Sequence, residues 1–216
     1  MKLTAGGNRH ERKKEETRQK IIDTAMKLFY QQGFDATTLE QIAEEADIAR
    51  KTLYNHFPVK EDIIVEHLNR FVWKRAPEID RLIQEHTDAR SQMVAVLNRL
   101  IEWTEQLMTK EIFRIYISYL TQNVLTASHD EIHKSGAQNF MGKIIKLGQE
   151  SGEIRRDLPM EVLASQADNI RISAGLRFLM DPEKFAAQGF ITQSVELFLN
   201  GALAAPDKEI QKNAGG

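Results

Sequence analysis

The chain contains no cysteine, which excludes disulfide bonds and thiolate metal sites. Its 216 residues include only 5 prolines and 12 glycines, and this scarcity favours long helices over a sheet with many turns. No apolar run is long enough to cross a membrane, and the first ten residues lack the apolar core of a secretory signal. These absences predict a helical, cytoplasmic protein.

The chain has no large excess of acidic or basic residues, and its formal net charge is −2. Residues 1–60 carry 11 basic and 9 acidic side chains, whereas residues 61–216 carry 18 and 22. This asymmetry is compatible with nucleic-acid binding at the N-terminal end but is too small to predict it. The hydrophobic content of 42% is sufficient for a core.

Apolar residues recur at helical spacing along most of the chain, and strand-like alternation does not persist. A first helix is predicted at 12–32, and Gly33 is placed to end it in the left-handed conformation. Later helices are predicted at 78–87, 89–109, 111–127, 130–151, 159–180 and 183–204, with breaks that include Pro77, Gly152 and Asp181-Pro182. The fold class is therefore all-α, with about nine or ten helices and a disordered tail at 207–216.

Residues 38–57 combine a small apolar core with short helices. Thr38 and Gln41 form a capping box that begins a second helix, and residues 47–49 turn the chain into a third helix at 50–56. The inward-facing side chains are predicted to be those of Leu28, Phe29, Leu39, Ile42, Ala43, Ala46, Ile48, Leu53 and Phe57. This arrangement predicts a helix-turn-helix module, which places one exposed helix in the major groove of DNA.

The third helix is expected to end before a proline. Phe57 precedes Pro58, which disfavours helical conformation at Phe57. Pro58 can then occupy the first turn of a fourth helix, predicted from about Val59 to Arg75.

The outward face of the third helix carries hydrogen-bond donors and no acid. Its residues are Arg50, Lys51, Thr52, Tyr54, Asn55 and His56, followed by Lys60. The two basic residues can donate to guanine edges or phosphates, and the tyrosine, histidine and later lysine can donate to phosphate oxygens. Free N–H groups at Thr38, where the second helix begins, also suit a phosphate. The alternative is a solvated helix face with packing aromatics, but the density of donors favours DNA.

The stretch TLEQIAEEADIARKTLYNHFPVKEDII resembles the DNA-binding domain of the tetracycline-repressor-like (TetR/AcrR) family of bacterial regulators. The matching elements are Gly33-Phe34, Thr37-Thr38, Ile42-Ala43, Ala46, Thr52-Leu53-Tyr54, His56-Phe57 and Lys60-Glu61. Asp47 departs from the pattern, because the family commonly has glycine there. The resemblance implies phosphate contacts from Thr38, Thr52, Tyr54, His56 and Lys60, and operator selection by Arg50, Lys51 and Asn55.

The resemblance also implies a domain division, with a DNA-binding domain at 1–58 and a helical ligand-binding and dimerisation domain at 59–206. The phrase GEIRRDLP at 152–159 resembles the link between the family's seventh and eighth helices. One apolar stripe of the last helix, consisting of Ile191, Val195, Phe198 and Ala202, is the candidate homodimer interface. Burial of this stripe within one subunit is the alternative. A dimer presents two recognition helices to a palindromic DNA operator.

The middle helices contain large side chains, several of them with polar tips. The candidate ligand contacts are Phe71, Trp103, Phe113, Tyr116, Tyr119, Asn123 and Phe140, since small-molecule sites are apolar cavities with a few converging polar groups. An aromatic stripe at helical spacing is more often plain core. Taken with the resemblance, these residues predict a repressor that is released from DNA by a small, mainly apolar or aromatic inducer.

Two other functions remain open: a constitutive DNA-binding regulator without a ligand, and an all-helical enzyme. The sequence shows no nucleophile elbow, phosphate-binding glycine loop or HExxH motif, so we expect no enzyme. His129 and His133 lie four residues apart and can share a metal ion, but no third ligand is evident. We therefore expect no metal site and no cofactor.

Overall fold

The computed structural model describes residues 5–124, 136–180 and 187–200. Within these ranges the chain forms ten α-helices and no strand, which confirms the all-α class. The helices are α1 (Ala5–Gln32), α2 (Leu39–Glu45), α3 (Arg50–His56), α4 (Lys60–Lys74), α5 (Ala76–Glu85), α6 (Ala89–Leu107), α7 (Lys110–Val124), α8 (Gly136–Ser151), α9 (Met160–Met180) and α10 (Ala187–Asn200). No helix in the described part of the chain is long and apolar enough to span a membrane. The predicted tail lies outside the described residues.

Helix α1 is longer than its apolar pattern predicted, because it begins at Ala5 instead of residue 12. The added residues, AGGNRHE at 5–11, include Gly6 and Gly7, which have low helix propensity, so local propensity does not account for the extension. The end of α1 is as predicted. Gly33 has φ +89°, and its N–H donates to the carbonyl of Phe29 at 3.1 Å.

Two prolines lie in other positions than the sequence predicted. Pro58 precedes Val59, which is the N-cap of α4, so the proline is outside that helix. Pro77 does not break the chain between helices but lies in the first turn of α5. This position suits proline, since the N–H groups of a first turn have no partner within the helix.

By packing, the chain divides into two units. The first comprises the described residues within Met1–Pro77 and Thr104–Gly136, and the second those within Glu78–Trp103 and Ala137–Gly216. The predicted domain boundary after residue 58 stays a prediction.

The first unit has a core built from α1 to α4. Its fully buried side chains include Ile21, Ile22, Ala25, Ile42, Leu53, Phe57, Ile63 and Ile64. Burying a large apolar side chain stabilises a fold by about 1.5–3 kcal/mol. This core therefore holds the short helices α2 and α3, which could not persist alone.

The second unit has a separate core from α5, α6, α8, α9 and α10. Its fully buried side chains include Ile79, Met93, Val96, Leu97, Met141, Ile144, Ile145, Ala167, Ile191 and Val195. Helices α9 and α10 pack against each other within this unit. Asp168 of α9 is also buried, where it accepts hydrogen bonds from Arg171 one turn later.

Candidate nucleic-acid interface

Helix α2 begins at Thr38, whose side chain caps it as predicted. The Thr38 hydroxyl oxygen accepts a hydrogen bond from the backbone N–H of Gln41 at 3.1 Å. The Gln41 side chain is drawn toward α1, where its amide oxygen accepts from Gln32 at 2.9 Å. The Gln41 side chain therefore ties α2 to the end of α1, and only the Thr38 half of the predicted capping box is present among the hydrogen bonds of the described residues.

The turn between α2 and α3 is a Schellman motif with aspartate at the left-handed position. The N–H of Asp47 donates to Glu44 O and that of Ile48 to Ala43 O, both at 3.0 Å. Asp47 has φ +48°, a region that favours glycine but that aspartate tolerates better than most residues. The departure from the family's glycine thus leaves the turn's hydrogen bonds in place.

Helix α3 presents its polar side chains outward, as predicted. Arg50, Lys51, Tyr54 and Asn55 are exposed, while Thr52 and His56 are half-buried. On the inner side Leu53 is fully buried, and so is Phe57 directly after the helix. Helix α3 and Phe57 therefore combine a buried inner side, which fixes the helix, with an exposed outer surface of hydrogen-bond donors.

Tyr54 has an acidic neighbour that sequence reasoning missed. Its hydroxyl donates to a carboxylate oxygen of Glu40 on α2 at 2.6 Å. This hydrogen bond lowers the pKa of Glu40 and raises the pKa of Tyr54. The stretch from Arg50 to Lys60 contains no acid, but the fold brings a carboxylate to it from ten residues upstream of Arg50. The hydroxyl of Tyr54 therefore has two competing acceptors when a phosphate approaches.

Lys60 is tied into the module. Its ammonium donates to the carbonyl oxygens of Phe34 at 2.6 Å and Thr37 at 3.0 Å, and it lies 4.1 Å from the centroid of the Phe34 ring. An ammonium has three N–H donors, so one remains for another acceptor. The side chain links α4 to the loop before α2, and its contact with a phosphate stays a prediction.

His56 at the end of α3 is half-buried, and its Nδ1 atom is buried without a hydrogen-bond partner in the described part of the chain. Burial lowers the pKa of His56, and the charges of Arg18 and Lys14 lower it further. The ring is therefore neutral at pH 7. The tautomer with its proton on Nε2 leaves no N–H at the buried nitrogen and offers one donor to a phosphate.

The predicted ligand contacts are divided between the two units. Phe71, Phe113, Tyr116 and Tyr119 belong to the first unit, and Trp103 and Phe140 to the second. The Arg75 guanidinium lies 3.5 Å from the Phe71 ring centroid, and the Tyr119 hydroxyl donates to Asp62 on α4. Phe113, Tyr116, Trp103 and Phe140 are buried. The side chain of Asn123 is outside the described residues, as are His129 and His133.

The second unit contains a cleft of about 430 Å³. It is lined by Asp88, Ala89, Arg90, Glu153, Ile154, Arg155, Leu163, Phe198, Leu199 and Asn200, so its lining has only Phe198 in common with the predicted sites. Glu153 accepts a hydrogen bond from the Ala89 N–H at 2.7 Å, and Arg155 pairs with Asp157. The charged groups at its rim are thus already bonded to neighbours.

The predicted dimer stripe requires a correction. Ile191 and Val195 are fully buried within the subunit, so they belong to its core, which was the alternative interpretation. Phe198 is half-buried, and Ala202 is outside the described residues. Exposed apolar side chains of the two last helices are Val162, Leu176 and Met180 on α9 and Leu197 on α10.

Comparison with known proteins gives matches along most of the chain. A family model described as "Bacterial regulatory proteins, tetR family" matches residues 21–66. The HTH-type transcriptional repressor KstR2 of Rhodococcus jostii is 25% identical over 146 residues, which cover 67% of this chain and 71% of that protein. A probable acrEF/envCD operon repressor of Escherichia coli is 40% identical over 73 residues, which cover 34% of this chain and 31% of that repressor.

Solved structures match over nearly their full length. The FadR protein of Thermus thermophilus, a TetR family transcriptional repressor in complex with lauroyl-CoA, has a TM-score of 0.73 and 21% identity, covering 88% of this chain and 97% of its own. FadR of Bacillus subtilis in complex with stearoyl-CoA has a TM-score of 0.63 and 21% identity, covering 86% and 99%. At this identity the likeness concerns the fold, and it extends beyond the DNA-binding module.

Proposed function

We propose that this chain, whose residues 21–66 match the family model of bacterial regulatory proteins of the tetR family, is a dimeric transcriptional repressor. It binds a palindromic DNA operator and leaves it when a small, mainly apolar ligand binds. The observation that carries DNA binding is the exposed donor surface of α3 on a fully buried base. It acts in the cytoplasm as a binding protein rather than an enzyme, since the relatives named above are regulators.

Positions in the structure and the family resemblance together support proposed roles for the interface residues. Arg50, Lys51 and Asn55 are exposed on the recognition helix and select bases, and a good bidentate contact discriminates by about 1–3 kcal/mol. Thr38, Thr52, Tyr54, His56 and Lys60 contact phosphates, which fix the register but carry no sequence information.

The DNA-binding proposal is tested by selecting duplexes from a random library and measuring affinity by fluorescence anisotropy. Asn55→Ala and Arg50→Ala should lower operator affinity about tenfold or more and relax selectivity at one base pair per half-site. Lys146→Ala is the control, since this exposed lysine lies on α8 in the other unit. Failure of the unmodified chain to select any sequence would refute operator binding.

A dimer is supported by exposed apolar side chains near the end of α9 and on α10. Leu176 and Met180 lie one turn apart on α9, and Leu197 on α10 is 56% exposed. Leu176→Glu should dissociate the dimer, as measured by light scattering, and weaken operator binding because two linked modules bind far more tightly than one. Ile191→Ala serves as a contrast, because it should cost about 2–5 kcal/mol of stability as a core residue and leave the dimer intact in the folded fraction.

For the ligand, we propose a mainly apolar molecule. The structural relatives named above hold lauroyl-CoA and stearoyl-CoA, and SmeT, with a TM-score of 0.52, is found with triclosan. These three compounds, with free coenzyme A as the control, can be screened by thermal shift, since a ligand of the folded state raises the melting temperature by mass action. A binder should also release the operator. If these compounds bind but none of them releases the operator, the result favours a regulator whose DNA binding does not respond to such ligands.

A further inference from the structure

Arg18 lies where three helices meet in the first unit. Its Nη1 donates to the carbonyl oxygen of His56, the last residue of α3, at 3.4 Å, and its Nε donates to Glu66 on α4 at 3.2 Å. The guanidinium carbon also lies 4.5 Å from the ring centroid of Phe57. One side chain of α1 therefore contacts the end of the recognition helix and the helix that follows it.

The chemistry of arginine fits this position. The last carbonyls of a helix have no partner within it, and a cation near them interacts favourably with the helix dipole. The guanidinium holds its donors in a rigid planar fork, so its two hydrogen bonds keep a fixed angle, whereas the N–H donors of a lysine ammonium rotate. Phe57 beneath it is fully buried and provides a rigid surface.

Glu66 is itself held in place on α4. The same carboxylate oxygen accepts from Nε of Arg70 at 2.8 Å, and Arg70 also donates to Gln19 and pairs with Glu15. Burial raises the pKa of Glu66, but the hydrogen bonds from the two arginines outweigh it and the net shift is downward, so the carboxylate stays ionised. The side chains of Arg18 and Glu66 are 29% and 27% exposed, so solvent screens this pair less than an ordinary surface pair.

We infer that Arg18 and Glu66 are positioning residues for DNA recognition. The bridge from Glu66 through Arg18 to the carbonyl of His56 sets the angle at which α3 meets the major groove. Because Glu66 moves with α4, any displacement of α4 reaches the recognition helix through this bridge. The inference rests on the proposed function as an operator-binding regulator.

The test uses Arg18→Lys and Glu66→Gln in the full chain. Affinity is measured for the operator selected by the unmodified protein and for a scrambled duplex of equal length. Each variant should bind the operator about tenfold more weakly, a loss comparable to one mismatched base pair. Binding to the scrambled duplex depends on net charge at the phosphates, so it should stay within about twofold for Arg18→Lys, which keeps the charge, and should not weaken for Glu66→Gln, which removes an acid. Glu66→Gln is especially informative, because removal of an acid alone would tighten DNA binding.

Matched controls separate positioning from general effects. Arg99→Lys makes the same chemical change as Arg18→Lys at a half-buried arginine of the other unit, which pairs with Glu78 and Glu102. Glu45→Gln makes the same chemical change as Glu66→Gln in an exposed ion pair with Lys27, in which the side chain of Glu45 is 54% exposed and that of Lys27 is 58% exposed. Both controls should bind the operator within about twofold of the unmodified chain. The double variant Arg18→Lys/Glu66→Gln should bind no more weakly than the weaker single variant, because both break one bridge.

Unchanged operator affinity in both variants overturns the inference, as does an equal loss on operator and scrambled DNA. Circular dichroism melts check the fold, and Glu66→Gln decides the outcome if Arg18→Lys lowers the melting temperature. If the unmodified chain selects no operator, the proposed function fails. If it selects one and the variants bind it equally well, only the positioning role fails.

Discussion

Replacing Asp47 with glycine or alanine probes the left-handed turn that sets α3 against α2. At φ +48° an alanine side chain carries strain of about 1–2 kcal/mol, whereas glycine adopts this conformation without it. Glycine gives the unfolded chain more conformational entropy than alanine does, which lowers the free energy of unfolding by about 0.4–1 kcal/mol. Asp47→Gly should therefore be more stable than Asp47→Ala by about 0.5–1 kcal/mol. The aspartate itself should lie between them, since its short polar side chain tolerates this region.

Urea unfolding at one fixed protein concentration measures this order, because the stability of the proposed dimer would depend on concentration. For a chain of this length, the difference corresponds to a melting-temperature change of about 1–4 °C. Asp35→Gly is a control in the loop after Gly33, because Asp35 is also an exposed aspartate but does not have positive φ. Equal stability of the glycine and alanine variants at position 47 would refute the account of the turn.

Three further predictions concern residues of the first unit. Lys60→Met should destabilise the first unit by about 1.5–3 kcal/mol, because the carbonyls of Phe34 and Thr37 lose a charged donor. Hydrogen exchange should then become faster in the loop between α1 and α2, and exchange as slow as in the unmodified chain would contradict this. Glu40→Gln should tighten operator binding severalfold by anisotropy, since it removes a negative charge beside Tyr54, and looser binding would count against a phosphate contact there. Stability should fall as pH drops below about 6.5, because burial lowers the pKa of His67 in the folded state and the unfolded chain then binds the proton more readily. His67→Gln should weaken this dependence in urea titrations at pH 5 and pH 7, and an unchanged slope would show that other groups cause it.

The helix-turn-helix could be predicted from sequence because its signals are local. The Thr38 cap and the Phe57-Pro58 pair mark helix ends within a few residues, and the third helix predicted at 50–56 is the observed α3. The left-handed Gly33 was likewise predicted from its place after an apolar periodic segment. Such signals act through the backbone of adjacent residues, so they do not depend on the rest of the fold.

Predictions failed where the outcome depends on distant residues. The stripe containing Ile191 and Val195 was recognised as apolar, but periodicity does not reveal whether the covering surface belongs to the same subunit. Arg18 shows the same difficulty for a polar residue. It lies three residues before Ile21, on the side of α1 that becomes buried, but its partner Glu66 is 48 residues away. The carboxylate of Glu40 beside Tyr54 was missed for this reason too.

The tethered ammonium of Lys60 has a consequence for genetics. A substitution there removes an internal tie, so cells should contain little of the altered protein and a normal copy of the gene should restore repression. Substitutions at the exposed Arg50 or Asn55 leave the core intact and should yield abundant subunits that still associate. In the proposed dimer, those subunits would trap normal ones in pairs with only one working module. Loss-of-repression alleles at Lys60 should therefore be recessive, whereas those at Arg50 and Asn55 should be dominant.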